Sequence, residues 1–428
     1  MIIESNDERG PGNRSALRRL TGIDAATFAE RHWGTAPKFT RSAELSGSFE
    51  DLMTVDAVDE LIAERGVRTP FVRMAKDGRL LEKNKFTGSG GFGAEITDQV
   101  DSAAVLSAFA AGNTLVLQGL HRLWPPLIAF TGELVRELGH PVQVNSYVTP
   151  AASQGFSPHY DVHDVFVVQI AGSKRWTIHS PVHRHPLNNQ PWSDRRAAVE
   201  THADDSPELD IVLDPGDVLY LPRGWIHSAQ ALGETTVHLT IGVASFNDYD
   251  IAHHTLGALQ DVEGLRAPLP AGWDPTDSES VLPHVRRVLG DMRRALDKLD
   301  RDPEALHRIT ERVASRYDEL VRPEPVRPVR SVAQMGALRG QDSIRLRAGV
   351  IARVVRTPRV RGCRAARQNR VDAASVRRCP RIVARRIAVP VGFSARPRHR
   401  RCCRGRSQAR ARRHRSHRHR VMASPTIR

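Results

Sequence analysis

The segment SPHYDVHD (157–164) sets His159 and Asp161 two positions apart. Residues i and i+2 of a β-strand point to the same face, so an imidazole and a carboxylate would converge on one point. They make two thirds of a 2-His-1-carboxylate facial set, the donors suited to Fe(II) with coordination positions left open. The third donor must come from another strand, and His227 is the candidate. In DPGDVLYLPRGWIHSA (214–229), Pro215, Gly216 and Asp217 supply a turn, VLYLP a strand, and Pro222 to Trp225 a tight exit that presents His227. The bland alternative for His159 and Asp161 is a hydrogen-bonded strand pair that binds nothing.

Two further stretches bear on that site. In QIAGSKRWTIHSP (169–181), Lys174 opens a strand just after a turn at Gly172. A lysine opposite a metal can pair, as a point charge with three donors, with the far carboxylate of a dicarboxylic ligand; otherwise it is a solvated strand-end residue. In NSYVTP (145–150), Asn145 and Tyr147 share a strand face and could hydrogen-bond a ligand carboxylate, or be ordinary strand polar residues. His202 and Asp204 repeat the His-x-Asp spacing in a polar loop and are read as a decoy. His163, His179, His183 and His185 are read as surface or supporting residues. The run GSGGFG within 85–95 lacks the Gly-Lys-Ser/Thr ending of a phosphate loop.

The elements that must position these residues follow from periodicity. Residues 24–34 predict a short helix capped by Asp24, and 48–65 a helix with Leu52, Val55, Val58, Leu61 and Ile62 on one side and Gly66 as its stop. Residues 113–120 are a short apolar run, and 124–139 a helix entered by prolines. Strand-like runs crowd 142–149, 164–172, 174–181, 211–222 and 235–243. Short strands without alternating helices predict an antiparallel barrel or sandwich. From 251 to 322 the apolar spacing turns helical. Residues 1–20 read as a loose lead-in and 323–330 as a Pro-rich linker.

The chain has 428 residues, with 63 Lys and Arg against 48 Asp and Glu, a formal charge of +15. The charge is not spread evenly. Residues 351–428 hold 25 Arg, no Lys and one acid, Asp372, for +24; residues 1–350 carry −9. The basic character therefore says little about the body. All four cysteines (Cys363, Cys379, Cys402 and Cys403) also lie in the tail, so the body has no disulfide scaffold, no Cys-ligated metal and no Cys nucleophile. The N-terminus lacks a signal-peptide core, and no window approaches a membrane span, so the default expectation is a cytoplasmic protein.

Taken together, NSYVTPAASQGFSPHYDVHDVFVVQIAGSKRW (145–176), PGDVLYLPRGWIH (215–227) and VHLTIG (237–242) resemble the JmjC-type cupin family, in its ribosomal-oxygenase-like branch. FAERHWGTAPKF (28–39) is similar to that family's N-terminal aromatic element. The resemblance implies a mainly β catalytic domain over 21–250, a double-stranded β-helix, followed by an α-helical domain over 251–322 that mediates homodimerisation. It implies a winged-helix-like remnant over 323–356. It places Fe(II) on His159, Asp161 and His227, 2-oxoglutarate on Lys174, Asn145 and Tyr147, and O2 at the open metal positions. The implied activity is hydroxylation of an Arg or His side chain of a ribosomal protein. A 2-oxoglutarate oxygenase acting on a small molecule, and a non-catalytic cupin that binds nucleic acid, remain as alternatives. Gly242 departs from the pattern, standing where some relatives carry a hydroxyl residue.

Residues 357–428 lose all apolar periodicity and are expected to be a disordered tail. The absence of Lys and the sudden cysteines favour a frameshift product of a GC-rich gene. The other readings are a plain tail and an Arg-rich nucleic-acid-binding arm.

Overall fold

The structure, a computed structural model, describes residues 15–76, 78–151, 157–321 and 325–337, with four two-residue strand segments further on. Ser15 caps α1 (Ala16–Thr21), which buries Leu17 and Leu20, so the stretch read as a loose lead-in is helical in its last part. Its first turn is fastened by Glu137, whose carboxylate accepts the Ala16 and Leu17 amide hydrogens at 2.9 Å. Asp24 caps α2 (Ala25–Arg31) as expected, its side chain accepting from the Ala26 and Thr27 amides, and β1 (Lys38–Thr40) follows. The helix expected over 48–65 is shorter: α3 (Val55–Ala63) starts only after Thr54, whose hydroxyl takes the Ala57 amide. Phe49, Leu52 and Met53 are buried from the turn before it, while Val55 is exposed.

The β2 (Val72–Lys76) and β3 (Arg79–Leu80) hairpin, the small ladder of β4 (Thr87–Gly88) with β5 (Gln99–Val100), and α4 (Ser102–Ala110) lead to β6 (Thr114–Leu117). After α5 (Leu120–Leu123), α6 (Pro125–Leu138) begins on two prolines and ends on Gly139 in the left-handed region, as its sequence predicts. Then come β7 (Val142–Thr149), β8 (Asp164–Ala171), β9 (Lys174–His179), α7 (Arg196–Ala203), β10 (Leu209–Leu213), β11 (Val218–Leu221), β12 (Ile226–Ala231) and β13 (Thr236–Val243). The expected 211–222 strand is two strands, split by the Asp214–Asp217 turn. β12 has no counterpart in the sequence reading, because IHSAQA lacks a continuous apolar or alternating run.

Two antiparallel sheets result, in the orders β1-β11-β8-β13-β7-β6-β2-β3 and β10-β9-β12. β8 is apolar on both faces because both are covered. Val165 and Val167 meet Trp176, Ile178 and Leu213 of the smaller sheet. Phe166 and Val168 face the helices that pack on the outside of the larger sheet. The space between the sheets is thus apolar on one side and open on the other, the arrangement expected of a double-stranded β-helix.

After the barrel come α8 (Asp248–Ala258), α9 (Glu263–Arg266), α10 (Ser278–Asp300) and α11 (Pro303–Leu320), so the helical expectation for 251–322 holds in kind. These helices bury little: Ala295, Ala305 and Ile309 are covered, while Leu282, Val285, Leu289 and Leu296 of α10 are exposed. The Pro-rich linker is shorter than expected, since Pro328 begins α12 (Pro328–Ala337); a proline's fixed φ suits a first helical turn. Most of the winged-helix-like remnant and of the 357–428 tail lies outside the described residues. The strand segments there pair Val354–Val355 with Val371–Asp372, and Ile382–Val383 with Arg386–Ile387.

Candidate active site

The three expected ligands are brought together by backbone hydrogen bonding. His159 forms an isolated bridge with His227 at the free edge of β12. The His159 amide donates to the His227 carbonyl at 3.1 Å, and the His227 amide donates to the His159 carbonyl at 2.8 Å. Such a directly opposed pair puts both side chains on one face, and the imidazole centroids are 4.4 Å apart. Asp161 continues on the same side, with its carboxylate oxygen Oδ2 3.8 Å from His227 Nε2. Its backbone carbonyl accepts the Gly224 amide at 3.0 Å, which ties the first ligand segment to the loop before the third ligand. Gly224 has φ 88°, and a Cβ there would lie 2.6 Å from the His183 carbonyl oxygen. Only glycine fits that turn.

The imidazole tautomers follow from the same geometry. His159 Nδ1 stands 2.8 Å from the Ser157 carbonyl, and His227 Nδ1 3.0 Å from the Trp225 carbonyl. A carbonyl can only accept, so each Nδ1 carries the hydrogen and each Nε2 keeps its lone pair for a metal. Burial pushes the His227 imidazole down to about 4, and the His159 charge acts the same way, so His227 is neutral. Burial would raise the Asp161 carboxyl, but His163, His227 and His159 outweigh it and hold the group below its ordinary value. One ligand atom from each of the three side chains lies within 4.8 Å of the other two. Donors about 2.1 Å from one ion stand up to about 4.2 Å apart, so small side-chain adjustments close the set. Two imidazoles that present Nε2 and an ionised carboxylate on one side of a cavity fit a divalent first-row metal such as Fe(II).

These side chains line a cavity of about 250 Å³. Lys174 stands at its closed end, only 4% exposed. Its Nζ donates to the Thr149 hydroxyl at 3.3 Å, and among the described residues no carboxylate forms an ion pair with it. Burial pushes its amine down to about 8 from the ordinary 10.5. A buried ammonium without a counter-charge is costly, so this end of the cavity is built for an anion. Gly172 sets the strand's start: at φ 62°, a Cβ there would meet the Thr235 carbonyl oxygen at 2.4 Å.

Tyr147 also lines the cavity. Burial, with the Asp161 charge, pushes its phenol up to about 12, so it stays a donor at neutral pH. Asn145 sits on the same face of β7 but outside the cavity lining. Its Oδ1 accepts the Gly119 amide at 3.1 Å, fastening the turn after β6 to β7. Gly242 leaves room for a neighbour: a Cβ there would fall 2.4 Å from the His163 ring, which occupies that space. His202 is held by Asp205 at 3.0 Å and Ser180 at 3.1 Å, and neither it nor Asp204 joins the cluster. His183 is tied to Gln190 at 3.1 Å.

Among the lining residues that escaped the sequence reading, four are aromatic or polar: Trp176, Trp192, His238 and Thr240. The alternation in TVHLTIG puts His238 and Thr240 on one face and was the available signal for them. Trp192 sits in a short 3-10 turn, Trp192–Arg195, after a proline and offers no periodic signal.

Residues 129–251 match the family model described as JmjC domain. The chain therefore carries a segment similar to a JmjC domain. The matched segment runs from within α6, through every strand that carries a site residue, to the start of α8. The chain is 28% identical over 316 residues to the bifunctional lysine-specific demethylase and histidyl-hydroxylase NO66 of Drosophila persimilis, covering 67% of this chain and 43% of that protein. It is 36% identical over 153 residues to ribosomal oxygenase 1 of Rattus norvegicus, covering 34% of this chain and 24% of that protein. The chain thus spans less than half the length of these two relatives. Among solved structures, the Escherichia coli ribosomal oxygenase YcfD in complex with cobalt and 2-oxoglutarate is similar at a TM-score of 0.42 and 18% identity, covering 77% of this chain and 85% of that one.

Proposed function

We propose that this protein is an Fe(II)- and 2-oxoglutarate-dependent oxygenase that hydroxylates a protein side chain, an Arg or His of a ribosomal protein. The observation that carries the reading is one cavity with a facial His159, Asp161 and His227 set at one end and a buried, uncompensated Lys174 at the other. A 2-oxo dicarboxylate carries one function for each of these ends. Its chelating end meets the metal and its far carboxylate meets the ammonium.

Bound to the three ligands, Fe(II) supplies the coupling of O2 reduction to oxidation of 2-oxoglutarate to succinate and CO2. The chain's own residues do the rest. His159 and His227 each present Nε2 because their Nδ1–H groups are held by carbonyls. Lys174 holds the far carboxylate, and the protonated Tyr147 phenol is available as a second donor. Val165, Val167 and Trp176 give the cavity apolar walls, which strengthens both contacts. Trp192, 6.2 Å from the His159 ring, walls the cavity beside that ligand.

Relatives named ribosomal oxygenases support a ribosomal protein as substrate and, with it, a cytoplasmic place of action. No described helix is long and apolar enough to cross a membrane. The exposed Leu282, Val285, Leu289 and Leu296 of α10 recur in the rhythm of a coiled-coil seam and support a homodimer through the helical region. Sedimentation of Leu289→Glu as a monomer would bear that out, and an unchanged wild-type monomer would end it.

The function is tested by supplying the protein with Fe(II), 2-oxoglutarate and a panel of ribosomal peptides. Succinate should form with wild type and not with His159→Ala, and mass spectrometry should find one added oxygen on an Arg or His. Absence of succinate from wild type across the panel rejects the reading.

A further inference from the structure

The floor beneath Lys174 is a patch of two by two residues on β7 and β13. Thr149 stands opposite Thr236, and Tyr147 stands opposite His238. Thr149 is the hydroxyl that Lys174 already touches. The other strand of the patch carries two buried polar atoms with no partner, Thr236 Oγ1 and His238 Nδ1.

His238 is 4% exposed and lines the cavity. Its ring stacks on Tyr147 with centroids 5.2 Å apart and planes 5° from parallel. Trp176 meets it edge-on at 5.6 Å. Aromatic rings from both sheets thus hold the imidazole in place. Burial, and after it the Lys174 charge, keeps the group well below its ordinary value. It is therefore neutral, with one N–H and one lone pair rather than a second positive charge.

The roles assigned above do not use this residue, and leaving a buried nitrogen unpaired is costly. A carboxylate resting on Lys174 offers the missing acceptor, since an ammonium engages one oxygen well and leaves the other to be satisfied. We propose that His238 is a specificity residue of this site, hydrogen-bonding the far carboxylate of the dicarboxylic ligand alongside Lys174. The inference rests on the reading of the cavity as a 2-oxoglutarate pocket. It deepens that reading by assigning the orientation of the far carboxylate, and not only its attraction, to the chain. Lys174 answers to charge at any angle, whereas a stacked imidazole answers only to an oxygen in its plane. The pair should reject 2-oxo acids that end in a methyl group more strongly than an ammonium alone would.

The test uses the full chain loaded with Mn(II), with binding of 2-oxoglutarate and of 2-oxobutyrate, which lacks the far carboxylate, measured by calorimetry. His238→Phe keeps the stacking and removes the nitrogens. It should weaken 2-oxoglutarate binding about tenfold and leave 2-oxobutyrate within about twofold of wild type. His238→Asn, whose amide reaches the place of Nδ1, should recover most of the loss. In turnover with Fe(II), His238→Phe should raise KM for 2-oxoglutarate and leave kcat nearly unchanged.

Unaltered 2-oxoglutarate affinity in His238→Phe, or an equal loss of both ligands without rescue by Asn, overturns the proposal. The parent reading fails separately. If wild type takes up Mn(II) but no 2-oxoglutarate, the pocket assignment falls and His238 with it. If Lys174→Met loses 2-oxoglutarate while His238→Phe does not, only the present inference falls.

Discussion

At the metal end of the cavity, side chains are placed by the backbone; at the closed end, they are placed by burial. His159 and His227 face one another because their amides and carbonyls exchange hydrogen bonds. Asp161 follows because its carbonyl is held by the Gly224 amide. Lys174 has no such frame. It is fixed by the apolar residues around it and one hydroxyl, so its charge is uncompensated until an anion arrives. The first end is therefore organised without ligand, and the second waits for one. Removing a residue should accordingly have opposite side effects at the two ends.

The largest effect is expected at the metal end. His159→Ala should lose metal-dependent succinate formation by more than the roughly 10- to 100-fold that loss of a metal's outer partners costs. Co(II) affinity measured by calorimetry should fall with it, while the melting temperature without metal changes little. A variant that still binds Co(II) as wild type does would remove His159 from the ligand set.

At the closed end, Lys174→Met removes a buried charge as well as a binding group. KM for 2-oxoglutarate should rise by about 30-fold or more, the cost of truncating one partner of a buried charge pair. The protein without ligand should melt no lower than wild type, because an unpaired buried ammonium destabilises the fold. The pH dependence carries the same sign. Burial lowers the folded-state pKa of Lys174 to about 8, below its ordinary 10.5. KM for 2-oxoglutarate should thus be flat below pH 8 and rise about tenfold per unit above it. Between pH 8 and 10.5 the unfolded chain holds the proton that the folded chain has lost, so stability should rise with pH across that window. Lys174→Met should flatten both slopes. A KM that ignores pH from 7 to 9 would mean the ammonium does not meet the ligand.

The contrast also accounts for what could be read from residue order. The metal end was legible because His159 and Asp161 share a short stretch, and because Pro215, Gly216 and Gly224 punctuate the approach to His227. Local turn chemistry fixes those backbones. The closed end draws on β7, β9 and β13, whose register no single stretch encodes. Lys174 and Tyr147 were singled out and line the cavity, but His238 was not singled out, since a histidine in an apolar strand usually reads as a satisfied core residue. β12 stayed hidden for a related reason. Its edge is completed by the one-residue bridge to His159, a contact distant in sequence. The exposed face of α10 was legible as helix, but its spacing does not say what covers it.

A smaller effect should come from Gly224, which joins the two ligand segments without touching a ligand. Ala at φ 88° is strained, and its Cβ would meet the His183 carbonyl and the Pro186 ring. Gly224→Ala should cost about 1–3 kcal/mol of stability. It should also weaken Co(II) binding, because the amide that holds Asp161 must move. Lost stability with metal affinity intact would show that the two ligand segments are positioned independently, and would weaken the claim that the backbone organises this end.

The smallest effect is expected at Asn145, which shares the face of Tyr147 yet stands outside the cavity. Its Oδ1 is taken by the Gly119 amide, at the turn joining β6 to α5. Asn145→Ala should therefore act on the fold and not on the ligand. One neutral hydrogen bond contributes about 1 kcal/mol, or a fall in melting temperature of about 2–4 °C for a domain of this size. KM for 2-oxoglutarate should stay within about twofold of wild type, well short of the Lys174→Met change. The outcome separates two uses of one strand face. If Asn145→Ala instead raises KM as Lys174→Met does, the ligand reaches further along β7 than the cavity between Lys174 and His227 allows. The cavity would then have to include the β6–α5 turn.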